Sequence, residues 1–275
     1  MHLVRKLLLS WAPRYSLLLL VALFTTFPFL WTLSTALGDA GNIYAFPPQL
    51  WPEAPTLKHI DEARQTIPLD RFFWNSVLIS GATVAGTLVL ASLAGYALSV
   101  LRFRGQRLVF LAVLATLILP SELNIIVNFI TLTMLKLTNT HTGVVLPLLA
   151  NAFGIFLLKQ AFDEIPAEIF DAARIDGASE WQLFWRVALP LAGPALAALA
   201  IFTLVATWNA YIWPAVVLQS PDQYPLAVGV LYLSGTFAAK TRVIAAGTGL
   251  TILPVLILFL LAQRYFMRGL DGAVK

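Results

Sequence analysis

The sequence predicts an all-α integral membrane protein with about six transmembrane helices. Two observations carry the prediction. Hydrophobic residues make up 59% of the 275-residue chain against 12% charged, with a mean hydropathy of +0.80, which leaves too little polar surface to cover a water-soluble globule of this length. The apolar residues also gather into runs of about 20 or more, the length a helix needs to cross roughly 30 Å of hydrocarbon.

Taken in order, the expected spans cover approximately residues 15–36, 72–100, 108–130, 144–162, 189–218 and 244–266. The first follows Arg5, Lys6 and Arg14, as a signal peptide would. Its length, and the lack of a small-x-small cleavage site before the next loop, make it a retained span. Assigning alternate loops to alternate sides places Arg5, Lys6, Arg14, Arg102, Arg104, Arg107, Lys159, Arg174, Arg186, Arg264, Arg268 and Lys275 together. The other side receives only Lys58, Arg64, Arg71, Lys136, Lys240 and Arg242. This bias predicts that both termini are cytoplasmic, and the short "RFRGQR" loop at 102–107 supports it best. The chain reads as one transmembrane domain over 1–275, with a cytoplasmic loop at 163–188 and an external segment at 37–71.

The cytoplasmic loop is a polar island in an apolar chain. Glu168, Asp171, Arg174, Asp176, Glu180 and Arg186 crowd into it. Pro166 suits a first helical turn, Glu168 complements the positive end of the helix, and Gly177 is placed for a left-handed cap. Ser179 with Gln182 then forms a capping box that starts a second helix. Ile165, Ile169, Ala172 and Ala173 share one face of the first helix, where small alanines permit another backbone to approach. Such a face is a docking element; the alternative is an amphipathic helix lying on the membrane surface, which needs neither the glycine break nor the alanine pair.

Several chemistries are excluded. With no cysteine, the chain has no disulfide, thiol nucleophile or Cys-ligated zinc. It carries no G-x-x-x-x-G-K-[ST] phosphate loop, and His2, His59 and His141 are scattered without metal-ligand spacing. The chain is therefore not expected to be an enzyme. A secondary transporter would account for six spans with polar residues inside them, but leaves the island without a purpose.

The stretch "DAARIDGASEWQLFWRVALPLAGP" resembles the EAA loop of ATP-binding-cassette importer permeases through Ala172, Ala173, Asp176, Gly177, Ala178, Phe184, Leu189, Pro190 and Pro194. Asp171 stands where that pattern has Glu. "WNAYIWP" and "LAQRYFMRGLDGAVK" are similar to the carbohydrate-uptake (MalG-type) permease subunits and the related glycerol-3-phosphate permease subunits. The resemblance implies a type I importer arrangement, in which the island is a coupling helix seated on a cytoplasmic ATPase through Asp171, Ala172, Ala173, Asp176, Gly177 and Ala178. It further implies a second permease subunit, two ATPase subunits that hold ATP and magnesium, and an external solute-binding protein; no cofactor is expected in this chain. The implied solute is an oligosaccharide or similar sugar, with glycerol-3-phosphate or its diester as the alternative.

A pathway can be placed from helix rise, at about 1.5 Å per residue. Glu122, Asn124 and Asn128 fall in the outer half of the third span, Asn151 in that of the fourth, and Trp208, Asn209 and Tyr211 at a similar depth on the fifth. Polar side chains in a membrane normally face protein or a water-filled cavity. Asn beside Trp or Tyr suits a sugar, offering hydroxyl partners next to a flat apolar face. The alternative is that these asparagines tie helices together and the aromatics anchor at the interface, as expected for Trp213. Pro120, Pro147, Pro214 and Pro254 are candidate kinks, and Lys240 and Arg242 read as ordinary loop charges.

Overall fold

The protein is helical in the computed structural model, which describes the backbone of residues 2–236 and 240–273 and the side chains of 13–120, 123–233, 240–257 and 260. No strand occurs among the described residues; a single antiparallel bridge joins Gly38 to Pro55. The chain divides into two compact units, Met1–Pro68 with Val230–Leu253, and Leu69–Gly229 with Pro254–Lys275.

The first unit opens with α1 (His2–Leu37), whose stretch Pro13–Leu37 is long and apolar enough to cross a membrane. Its side chains at Tyr15, Leu17 and Phe24 are exposed, so this helix offers an apolar surface to lipid or to another chain. Beyond it, α2 (Lys58–Thr66) is short and polar. The segment between them is held by charge. The Arg242 guanidinium donates to the carbonyls of Gly38, Ala40 and Gly41, and Lys240 pairs with Glu62. Arg242 is therefore a clamp on three backbone acceptors, a larger role than the loop charge expected from sequence.

The second unit is built on α3 (Leu69–Ser99), the second single helix long enough to span. One face carries Ser76, Ser80, Thr83, Thr87, Ala91, Ser92 and Gly95, all small and buried. Without a large hydrophobic effect between helices in lipid, such small side chains let backbones meet closely. A Cβ on Gly95 would lie 3.0 Å from the Lys159 backbone nitrogen, so only glycine fits this crossing comfortably.

The remaining apolar runs are broken, which corrects the expectation of continuous spans. In place of one helix over 108–130 there is α4 (Gln106–Ile118), a 3-10 turn over Ser121–Asn124 and α5 (Ile125–Met134). Leu119 is extended at ψ 124° because a following proline, Pro120, disfavours helical backbone before it. The fourth run is α6 (His141–Val145), a 3-10 turn at Leu146–Leu148 and α7 (Ala152–Asp163), bent by 46°. Next come α8 (Ala167–Ile175), α9 (Glu180–Leu183), a π-helical turn over Phe184–Ala188 and α10 (Leu189–Leu191). They lead into α11 (Gly193–Asn209) through a 75° bend, and α12 (Ile212–Val217) follows. The π turn has a cause: Pro190 has no N–H for the Arg186 carbonyl, and the Leu189 N–H bonds Phe184, five residues back. Finally, α13 (Leu226–Thr236) and α14 (Thr241–Ala273), with Pro254 inside it, complete the chain. Among the described residues, therefore, two single helices and two bent pairs are long and apolar enough to cross a membrane.

Candidate coupling elbow and transport cleft

The polar island folds as its local signals predict. Gly177 has φ +85°, and the N–H groups of Gly177 and Ala178 bond the carbonyls of Arg174 and Ala173 at 3.0 Å each. These two bonds form a Schellman cap. At the next residue the Ser179 hydroxyl accepts from the Gln182 N–H at 3.3 Å, and the Gln182 side chain accepts from the Ser179 N–H at 2.8 Å. Both helix ends at this break are thus satisfied within five residues, giving a rigid elbow. Pro166 sits one position earlier than expected, as the N-cap of α8.

Which face of α8 is buried differs from the expectation. Phe170 is 4% exposed and joins Tyr96, Phe162, Leu183 and Phe184 in one cluster, with Ile165, Ala173 and Ala178 packed against it. Ile169 and Ala172 point outward with Asp171 and Asp176, and Ile175 is 86% exposed. The outward surface is thus an apolar edge between two carboxylates. Asp171 accepts from Arg174 at 3.1 Å, and Arg174 also donates to Glu180 at 3.0 Å. The Glu180 hydrogen bond is the main reason the Arg174 guanidinium holds its proton even more firmly than usual.

A second feature lies in the same unit. A cleft of about 880 Å³ is lined by Asn124, Asn128, Asn151, Asn209 and Tyr211, together with Thr116, Phe153 and Trp213. Five residues expected from helix depth are therefore brought together. Asn151 and Asn209 are partly committed: Asn151 caps α7 by accepting from the Gly154 N–H at 2.8 Å, and Asn209 donates to the Val205 carbonyl at 2.9 Å. The Glu122 side chain lies outside the described residues. Trp208 is a correction, being 3% exposed and packed edge-on against Phe73 at 6.0 Å, away from the cleft. Trp213, expected only to anchor, lines the cleft while its indole N–H donates to the Val144 carbonyl at 3.0 Å. No group of three or more His, Cys, Asp or Glu among the described residues could hold a metal ion.

A capped polar elbow and an amide-lined cleft thus lie among broken apolar helices. This is the class of helical membrane permeases. The chain belongs to the family of binding-protein-dependent transport system inner membrane components, which matches residues 87–272. It is 41% identical over 205 residues to the arabinooligosaccharides transport system permease protein AraQ of Halalkalibacterium halodurans, covering 74% of each chain. It is 34% identical over 266 residues to the lactose transport system permease protein LacG of Rhizobium radiobacter, covering 95% of each. Its fold is similar to the crystal structure of a bacterial ABC transporter involved in import of the acidic polysaccharide alginate, with a TM-score of 0.82 at 25% identity over 94% of this chain and 96% of that one. The resemblance to importer permeases read from residues 171–194 therefore holds.

Proposed function

We propose that this chain forms part of the solute pathway of an ATP-driven importer for a neutral oligosaccharide, and that α8 is its coupling helix. The observation that carries the reading is the elbow. An exposed edge of Ile169, Ala172 and Ile175, on a helix locked at its C-terminal end by Gly177 and the Ser179 box, suits insertion into a cleft on another protein. That protein is an ATPase subunit holding ATP and magnesium; this chain transmits force and does no bond chemistry. A second permease completes the passage, each permease rests on one ATPase, and an external binding protein delivers the solute. Six spans with both termini cytoplasmic follow from the apolar runs and from the loop distribution of Lys and Arg.

The sugar assignment is supported by the relatives named for arabino-oligosaccharides and lactose, and by the cleft. Its described lining is uncharged, with amides and aromatic faces but no Lys or Arg to neutralise a phosphate. This favours a neutral sugar over glycerol-3-phosphate. The test is uptake by the assembled importer of radiolabelled arabinotriose, lactose and glycerol-3-phosphate, compared with an Asn128→Leu variant. The reading expects a neutral sugar to accumulate, and Asn128→Leu to lower uptake per assembled complex. Accumulation of glycerol-3-phosphate alone would overturn the sugar assignment.

A further inference from the structure

The elbow is attached to the spanning helix α3 by a chain of hydrogen bonds that neither its caps nor the cleft requires. Tyr96 of α3 is 5% exposed, and its hydroxyl donates to Glu180 Oε2 at 3.0 Å. The other carboxylate oxygen, Oε1, accepts from Arg174 Nε of α8 at 3.0 Å. Glu180 itself is the first residue of α9. One carboxylate therefore connects three helices, with each of its oxygens committed to a different one.

The Tyr96 ring is held separately. It meets Phe162, Phe170 and Phe184 edge-on, with centroids 6.0, 6.5 and 5.3 Å away. Packing alone would be served by a phenylalanine at this position. The hydroxyl adds a directional bond to a charged acceptor, which resists sliding in a way that apolar contact does not. A displacement of α8 must either carry α3 with it or break a charge-assisted link.

Resting on the coupling assignment of α8, we propose that Tyr96, Glu180 and Arg174 are positioning residues that pass movement of the coupling helix to α3 and so to the transport cleft. The apolar cluster seats the elbow, and the Tyr96–Glu180–Arg174 chain makes its motion the motion of a span.

The proposal can be tested on the complete complex with its ATPase subunits. Leu117 lines the cleft and is exposed, so a Leu117→Cys reporter in this Cys-free chain can be labelled with a maleimide, with and without Mg-ATP and vanadate. The nucleotide-dependent change in labelling rate, per assembled complex, measures transmitted motion. Tyr96→Phe keeps the ring and removes the donor; Arg174→Gln breaks the other end without touching the apolar cluster. Each should reduce the change about fivefold, the scale of one net hydrogen bond. An unchanged response in both variants would overturn the linkage. So would a lower yield of complex with a normal response per complex, because that is the signature of a merely structural bond. A wild-type complex with no response, or a Gly177→Val complex that responds normally, would instead remove the coupling assignment and the linkage with it.

Discussion

At the scale of single residues, Gly177 shows how much a local rule can settle. Nothing lies within 4 Å of where its Cβ would be, so a side chain there would meet no neighbour. The restriction is purely one of backbone, since φ +85° is a conformation that β-branched residues strongly resist. Gly177→Val should therefore cost about 1–3 kcal/mol at the elbow and redirect α9, without a steric clash in the cluster. Binding-protein-stimulated ATPase activity of the assembled complex should fall; retention of full stimulation would contradict the role given to α8. Neighbouring residues show the limit of the same approach. Trp208 and Asn209 have nearly the same depth, which sequence can estimate from helix rise. They are about 100° apart around the helix axis, and that angle decides that Trp208 packs on Phe73 while Asn209 reaches the cleft. Ile169 and Phe170 divide in the same way, one outward and one into the cluster.

At the scale of elements, what could be read depended on how far each cause lies along the chain. The Schellman cap and the capping box each close within a few residues, so their sequence signatures were sufficient. Breaks in apolar runs were harder to read. Hydropathy continues unbroken through Ala192, yet the chain turns 75° there, whereas the break at Pro120 falls at one of the prolines expected to kink a helix. The clamp on the 38–62 segment was least legible, because Glu62 and Lys240 are 178 positions apart. It yields a pH prediction. The hydrogen bond from Lys240 holds the Glu62 carboxyl below its usual value of 4.5. A depressed carboxylate pKa means the unfolded segment binds a proton more readily, so this contribution is present above the ordinary pKa and is lost as pH falls through the lower folded value. Limited proteolysis of the 39–62 segment should thus accelerate on acidification below about pH 4.5, and Glu62→Gln should raise cleavage at neutral pH and flatten this dependence. A wild-type profile unaffected by the substitution would show that the pair does not hold the segment.

At the scale of the whole molecule, every functional statement about α8 depends on which side of the membrane it occupies. On the orientation proposed from the loop charges, α8 lies on the side of Arg102, Arg104 and Arg107, and the segment around Glu53 on the opposite side. The folded chain supplies usable reporters for both. Glu53 and Arg104 are exposed, whereas Gln106 is half-buried and donates to the Leu98 carbonyl at 2.7 Å, which makes it less suitable. Since the native chain has no cysteine, Glu53→Cys and Arg104→Cys can each be read without background. An impermeant maleimide applied to intact cells should label Cys at 53 and spare Cys at 104, and permeabilisation should make both reactive. The reverse pattern would put α8 outside, where no ATPase could reach it. The coupling assignment of α8 would then fall, and the Tyr96–Glu180–Arg174 linkage with it.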